Sequence, residues 1–173
     1  MRSPDTLLMD HVDLFEGLSG PVLDLASGDG HNGVFLASRG YQAVLADVSE
    51  EALDRAKDLA ERQGVQVSLW HVDLEKNKDN PFRDDDYGAV LVFRYLHRPL
   101  MPCIKKTLKK SGIVIYETFT IDQPRFGKPK NPDFLLKHGE LLNWFEGWEV
   151  IYQFEGILQN PERAIAQIVC RKP

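Results

Sequence analysis

The chain has 173 residues, a net charge of −5 and an ordinary share of apolar residues. That length suits one domain, 1–173, able to bury roughly 70% of the surface its unfolded chain exposes. The acidic balance makes a nucleic-acid partner unexpected, since phosphate contacts need a basic face. Cys103 and Cys170 lack metal-ligand spacing, so no metal site is expected and the thiols read as reduced in a cytoplasmic protein. Residues Met1 to Asp5 lack the apolar core of a signal peptide. No apolar run approaches the ~18 residues of a membrane span, so no membrane contact is expected. Nothing in the composition speaks to oligomeric state.

Leu8, Val12 and Phe15 fall at helical spacing, which predicts a short amphipathic helix from Thr6 to Phe15 capped by Asp5 or Thr6. Residues 1–20 then form a helical cap ahead of a first strand, Val22 to Ala26. Asp24 sits inside that apolar strand, where a carboxylate is costly unless it is paired or faces a ligand. Gly28 and Gly30 follow, allowing backbone angles and an approach that a Cβ would forbid. The next helix, Asn32 to Arg39, ends at Gly40 and points its positive N-terminus at whatever lies over the turn. Gln42 to Val48 is a second strand. Ser49 caps a long helix to about Gln63, closed by Gly64, with Leu53, Ala56, Leu59 and Ala60 inward. Glu51–Arg55 and Asp58–Arg62 are supporting pairs four residues apart.

Val67 to Asp73 is a third strand, and Glu75 to Asp86 a polar loop. Its acidic run, Asp84 to Asp86, reads as solvated loop rather than a cation site. Ala89 to Phe93 is continuous and apolar, as a central parallel strand buried on both faces requires. A helix from Leu100 to Lys110 turns Cys103, Ile104, Thr107 and Leu108 inward. Gly112 closes it before a fifth strand, Ile113 to Phe119. Thr120 to Lys137 is rich in proline and basic residues, and a long irregular segment of this kind reads as an active-site loop. Glu140 to Phe145 is a short helix, followed by two late strands, Trp148 to Phe154 and Ala164 to Cys170. Trp144, Phe145 and Trp148 read as core and lid packing. The order predicts an α/β fold, a doubly wound Rossmann-like sheet with helices on both faces and its ligand at the carboxyl ends of the strands.

Gly28-x-Gly30-x-x-Gly33 matches the string of a nicotinamide site, but alone the string is weak. Asp24 would repel a pyrophosphate and suits an amine instead, a second acid, Asp73, ends strand three, and no second domain carries a hydride acceptor. Asp24-x-x-x-Gly28-x-Gly30 resembles the first motif of class I S-adenosylmethionine-dependent methyltransferases. Asp47 resembles that family's ribose-binding acid, His71-Val72-Asp73-Leu74 its adenine segment, and Ala89 to Phe93 with Arg94-Tyr95-Leu96-His97 its fourth strand and exit. The resemblance spans about Pro21 to Val169, and its motifs are specific when taken together. Gly30-His31-Asn32 and the short chain are similar to the small tellurite-resistance-type methyltransferases. Ala26-Ser27-Gly28-Asp29-Gly30 departs from the more familiar form of the turn but keeps both glycines. The resemblance implies a mostly parallel sheet with an antiparallel last strand and S-adenosyl-L-methionine as cofactor. It also implies a cofactor set of Asp24, Ala26, Gly28, Gly30, Asn32, Asp47, Val48, Asp73, Leu74 and Phe93. In that set Asp24, directly or through water, and the Ala26 carbonyl meet the ammonium, and the helix N-terminus meets the carboxylate. Asp47 accepts from the ribose, Asp73 accepts from the adenine amine, and Val48 and Leu74 sandwich the ring.

The catalytic candidates are Arg94, Tyr95 and His97, with Arg98, Glu117 and Thr118 beside them. Histidine titrates in the useful range, so His97 is either a base or a helix-start residue that packs. Arg94, Arg98, Arg125 and Lys128 form either an anion-binding mouth or a solvated surface. The Pro-Pro-aromatic motif of adenine methylation is absent after strand four, and no large cap is inserted. The expected function is in-line methyl transfer to a small-molecule acceptor, with an anionic one among the options. Two alternatives are a catalytically silent S-adenosylmethionine-binding activator of a partner and an NAD-dependent enzyme. An exposed apolar patch at Trp144 to Trp148 would favour the silent module.

Overall fold

The computed structural model describes residues 3–76 and 80–173. Seven strands form one sheet: β1 (Val22–Leu25), β2 (Ala43–Asp47), β3 (Ser68–His71), β4 (Tyr87–Phe93), β5 (Leu108–Phe119), β6 (Glu149–Leu158) and β7 (Arg163–Arg171). Their order is β3-β2-β1-β4-β5-β7-β6. The first five strands pair in parallel, and β7 runs antiparallel to both β5 and β6. Strand order reverses between β1 and β4, which opens the crevice where such sheets bind ligands.

The helices are α1 (Thr6–Met9), α2 (His31–Ser38), α3 (Glu50–Arg62), α4 (Met101–Thr107) and α5 (Glu140–Trp144). Alternate strand residues face opposite layers. Leu23, Leu25, Val90, Val92, Val114 and Tyr116 pack with Met101 and Ile104 of α4 and Leu141 of α5. Val22, Ala89, Leu91, Ile113 and Ile115 pack with Leu7, Leu8 and Phe15 of the N-terminal segment and Leu36 of α2. The α3 face of Leu53, Ala56, Leu59 and Ala60 closes over Ala43 and Leu45. Ser49 Oγ accepts from the Ala52 amide at 3.2 Å, the expected cap of α3. No helix among the described residues is long and apolar enough to cross a membrane.

Three local expectations are corrected. The N-terminal helix is split into α1 and a 3-10 turn, Val12–Phe15, with His11 Nδ1 bonded to the Leu7 carbonyl between them. The Asp5 side chain does not cap it. The helix expected to reach Lys110 stops at Thr107, and β5 begins at Leu108, five residues before the expected Ile113. The carbonyls of Lys106 and Thr107 accept from the amides of Asp85 and Asp86, outside the helix, so the chain is already pairing as a strand. Arg55 reaches Asp29 in the β1–α2 turn at 2.8 Å, a tie across elements where a pair along the helix with Glu51 was expected.

Candidate active site

The turn after β1 is built from two different glycine requirements. Gly28 has φ +53°, and a Cβ placed there would meet nothing within 4 Å. Gly30 has φ +76°, but its Cβ would lie 2.6 Å from Ala56 Cβ and Leu45 Cδ2. Gly28 therefore opens onto the crevice, whereas Gly30 lets β2 and α3 close beneath the turn. The expectation that Gly30 clears a ligand's approach path is corrected on this point. Gly33 is also a packing glycine, with a Cβ position 2.5 Å from Leu45 Cδ1. Its amide donates to Asp24 Oδ2 at 2.9 Å.

Asp24 lies under the turn at 2% exposure, and burial pushes its carboxyl up to about 8. Asp24 is a strut to the first turn of α2 and lines none of the cavities described below. A direct meeting with a ligand's ammonium is not what the geometry offers. Ala26 adopts φ +54°, unusual for a residue with a Cβ. Ala26 does line a cavity.

That cavity, of about 270 Å³, lies over the ends of β1, β2 and β3. It is lined by Ala26, Asp47, Val48, Val72, Asp73, Leu74, Glu75 and Tyr95. Five of the expected cofactor residues meet there. Asp47 Oδ2 accepts from the Gly28 amide at 2.8 Å and Oδ1 from the Ser49 amide at 2.9 Å. One carboxylate thus ties the glycine turn to the end of β2 and the start of α3. Val48 leaves 60% of its surface uncovered beside it. Asp73 Oδ1 accepts from the amides of Glu75 and Lys76, so it also shapes its own turn. Val72 belongs to the segment already read as meeting the adenine, whereas Glu75, two residues after Asp73, was read only as the start of a polar loop.

A second cavity, of about 420 Å³, adjoins the first along Glu75 and Tyr95. Arg94, Leu96, Thr118, Phe119, Lys128, Pro129 and Phe134 complete its walls. The irregular segment after β5 therefore contributes Lys128, Pro129 and Phe134. Burial and the nearby Glu75 and Asp73 carboxylates push the Tyr95 phenol well above its usual range. The Tyr116 hydroxyl donates to the Tyr95 carbonyl at 2.9 Å and fixes the backbone at this shared wall.

The remaining candidates are placed elsewhere. His97 lines none of the cavities. Phe93 is buried with the N-terminal layer, and the Arg94 guanidinium lies 5.9 Å from its ring centre. Arg94, at φ +56°, gives both terminal nitrogens to Asp5 at 2.7 and 2.9 Å. His31 Nε2 and Asn32 Nδ2 bond to the same carboxylate at 3.0 and 2.9 Å. Asn32 and Arg94 are thereby held by Asp5, a residue the sequence reading saw only as a helix cap. Arg98 binds Glu140 at 2.6 and 2.9 Å and the carbonyls of Asp133 and Leu135. Neither arginine is a free cation for an anion-binding mouth. Arg125 is exposed beside Phe126, so Lys128 is the member of that expected group left at the second cavity. Glu117 is buried, which raises its pKa, and it accepts from Gln167 Nε2 at 2.6 Å. It faces a separate polar cavity of about 350 Å³ beneath the N-terminal segment. Trp144 and Trp148 pack against the core, and Lys105 Nζ lies 5.7 Å from the Trp148 ring centre, so these tryptophans form no exposed patch.

Residues 22–112 match a family model described as a methyltransferase domain. The chain belongs to this methyltransferase family. The match covers the glycine turn, Asp47, Asp73 and β4, and the family implies S-adenosyl-L-methionine as cofactor, not NAD. Among curated relatives, the tRNA 5-carboxymethoxyuridine methyltransferase of Escherichia coli K12 is 24% identical over 156 residues. That alignment covers 75% of this chain and 60% of the relative. The probable S-adenosyl-L-methionine-dependent methyltransferase TehB of Haemophilus influenzae KW20 is 26% identical over 137 residues, covering 75% of this chain and 46% of that one. The chain thus spans about half to three-fifths of the length of these relatives. The crystal structure of TehB from Haemophilus influenzae superposes with a TM-score of 0.77 at 20% identity, over 95% of this chain and 62% of that one. The chain therefore has the class I fold expected from its motifs.

The residues present fit the cofactor. Gly28 leaves open space above the backbone, beside a cavity with a carboxylate at the end of β2 and apolar walls beyond it.

Proposed function

We propose that this chain transfers a methyl group from S-adenosyl-L-methionine to a small-molecule acceptor held in the 420 Å³ cavity. The observation that carries the reading is the Gly28–Asp47 contact, which joins an uncovered glycine to an acid on the wall of the adjoining cavity. After bonding Gly28 and Ser49, each Asp47 oxygen keeps a lone pair for a ribose hydroxyl. Val48 and Leu74 supply the apolar faces for an adenine, and Asp73 an acceptor for its amine. The N-terminus of α2 suits a carboxylate. The cofactor supplies an activated methyl group, so the protein's task is alignment and exclusion of water.

Tyr95 stands between the two cavities with its backbone fixed and its phenol protonated. Among the described residues no histidine lines either cavity. Glu75 lines both cavities, so a carboxylate stands where an acceptor's proton would be taken, and the acceptor's lone pair need not be free beforehand. Packed tryptophans favour this reading over a silent partner module.

A second reading, an acceptor carried on RNA, draws on the printed name of one relative and runs against the −5 net charge. S-adenosylhomocysteine at a hundredfold excess over its dissociation constant should add about 2.7 kcal/mol to stability, seen as a raised melting temperature. NAD should have no effect. A screen of small acceptors and bulk tRNA, reading S-adenosylhomocysteine release, then separates the two readings. A melting shift with NAD alone would overturn both.

A further inference from the structure

We propose that the 420 Å³ cavity selects a flat aromatic acceptor bearing an anionic group, with the ring against Phe134 and Phe119 and the anion at Lys128. This rests on the reading of that cavity as the acceptor site.

Among the described residues the cavity has one usable cation. Arg94 is matched by Asp5 in two hydrogen bonds, whereas Lys128 makes no ion pair among the described residues. Leu96, Phe119, Pro129 and Phe134 supply apolar wall, with Thr118, Tyr95 and Glu75 as its polar members. Phe134 keeps 48% of its surface uncovered, an unusual exposure for a phenylalanine. It is also held still. Arg98 grips the carbonyls on either side of it, those of Asp133 and Leu135, at 3.1 and 2.8 Å, and the Phe134 amide donates to the Asn131 carbonyl at 3.0 Å. The Lys128 carbonyl is likewise fixed, by Gln123 Nε2 at 3.0 Å, and Gln123 Oε1 accepts from the Ala164 amide at the start of β7. A bare aromatic ring and an unmatched ammonium are thus presented on backbone that is already ordered. A ligand that uses them has little ordering left to lose. A flat π-face stacks on such a ring better than an aliphatic body does.

The junction with the cofactor cavity, lined by Glu75 and Tyr95 but not by Lys128, fixes the orientation. Glu75 lies there, interacting with the Tyr95 hydroxyl, and its carboxylate repels an anion. The anion therefore lies at the Lys128 end, and the uncharged end of the acceptor faces Tyr95 and the cofactor cavity.

Three probes test this on the full chain saturated with S-adenosylhomocysteine: 2-naphthoate, 2-naphthamide and cyclohexanecarboxylate, followed by calorimetry. The naphthoate should bind at least tenfold more tightly than either of the others. Lys128→Met should bring the naphthoate down to the amide's level, and Phe134→Ala should weaken both aromatic probes. Circular-dichroism melts check that these exposed positions leave the fold intact. Equal affinity for acid and amide overturns the proposal, as does discrimination that survives Lys128→Met, or no binding of any probe. If S-adenosylhomocysteine itself fails to bind, the cofactor reading falls. The same ranking measured on the protein alone then still decides the selectivity.

Discussion

Asp5 and Arg94, 89 positions apart, close a two-pronged ion pair of 2.7 and 2.9 Å at the carboxyl end of β4. The pair joins the N-terminal segment to the residue that follows the central strand. His31 and Asn32 of α2 bond to the same carboxylate, so one side chain binds three elements together. Burial works to raise the Asp5 pKa, but the hydrogen bonds from His31 and Arg94 outweigh it and hold the group well below its usual range.

Asp5→Asn should therefore cost about 2 kcal/mol, the scale of a charge-assisted hydrogen-bond set that is not fully buried. The pH dependence has a definite sign. A depressed acid contributes fully above its unfolded value near 4, and the contribution drains away as pH falls below that. Urea melts of the two proteins between pH 7 and pH 3 should converge as the pH drops. A constant gap across that range would mean that the carboxylate's charge is not what holds the segment.

The two glycines of the β1–α2 turn should fail in different ways. Gly30→Ala forces a methyl to within 2.6 Å of Ala56 and Leu45 and should lower stability by about 2–4 kcal/mol. At Gly28→Val the Cβ meets open space, so the variant should keep most of its stability apart from about 2 kcal/mol of backbone strain. It should nevertheless lose S-adenosylhomocysteine binding, because the branched side chain fills the space above the turn. Melts paired with calorimetry separate these outcomes. A Gly28→Val protein that binds normally would move the cofactor away from this turn.

The adenosine end of the site was legible because Asp47 and Asp73 follow short apolar runs at positions that resemble the family's ribose and adenine motifs, even though β3 ends at His71, two residues before Asp73. Asp47, Val48, Asp73 and Leu74 all reach one cavity. The N-terminal side was not legible. Arg94 and Arg98 both follow β4 within five residues, yet one is claimed by Asp5 and the other by Glu140, partners far away in the chain. Gly28 and Gly30 look alike in the motif, and only the packing of Ala56 and Leu45 tells them apart. Lys105 to Lys110 has the pattern of an amphipathic helix end. Donors from Asp85 and Asp86, which no local pattern announces, claim its carbonyls and draw Leu108 into the sheet.

Asp24 should make stability fall as pH rises. Burial raises its folded pKa to about 8, above the unfolded value near 4, so the folded chain holds a proton that the unfolded chain releases between those limits. The favourable contribution is complete below about pH 4 and is lost as pH climbs through about 8. Asp24→Asn keeps an oxygen for the Gly33 amide and removes the titration. Its stability should vary less between pH 5 and pH 8 than that of the parent. Parallel slopes for the two proteins over that interval would mean that Asp24 is ionised throughout.

Asp47 carries two duties at once, and a pair of variants can divide them. Its oxygens hold the Gly28 and Ser49 amides, so Asp47→Ala removes both and should cost about 1–2 kcal/mol of stability. The same change should weaken S-adenosylmethionine binding by roughly ten- to a hundredfold, since one charged hydrogen bond to a ribose is worth about 1.5–3 kcal/mol and 1.4 kcal/mol is a factor of ten. Asp47→Asn retains one acceptor oxygen but presents an NH₂ where the other stood. It should restore part of the stability through whichever amide the oxygen still reaches. It should not restore the affinity, because the ribose then meets a donor where it needs an acceptor. Melts and calorimetry on both variants give the split. If the asparagine variant recovers affinity and stability in step, Asp47 serves the ligand only by shaping the turn, and the ribose contact lies on another residue of the cavity.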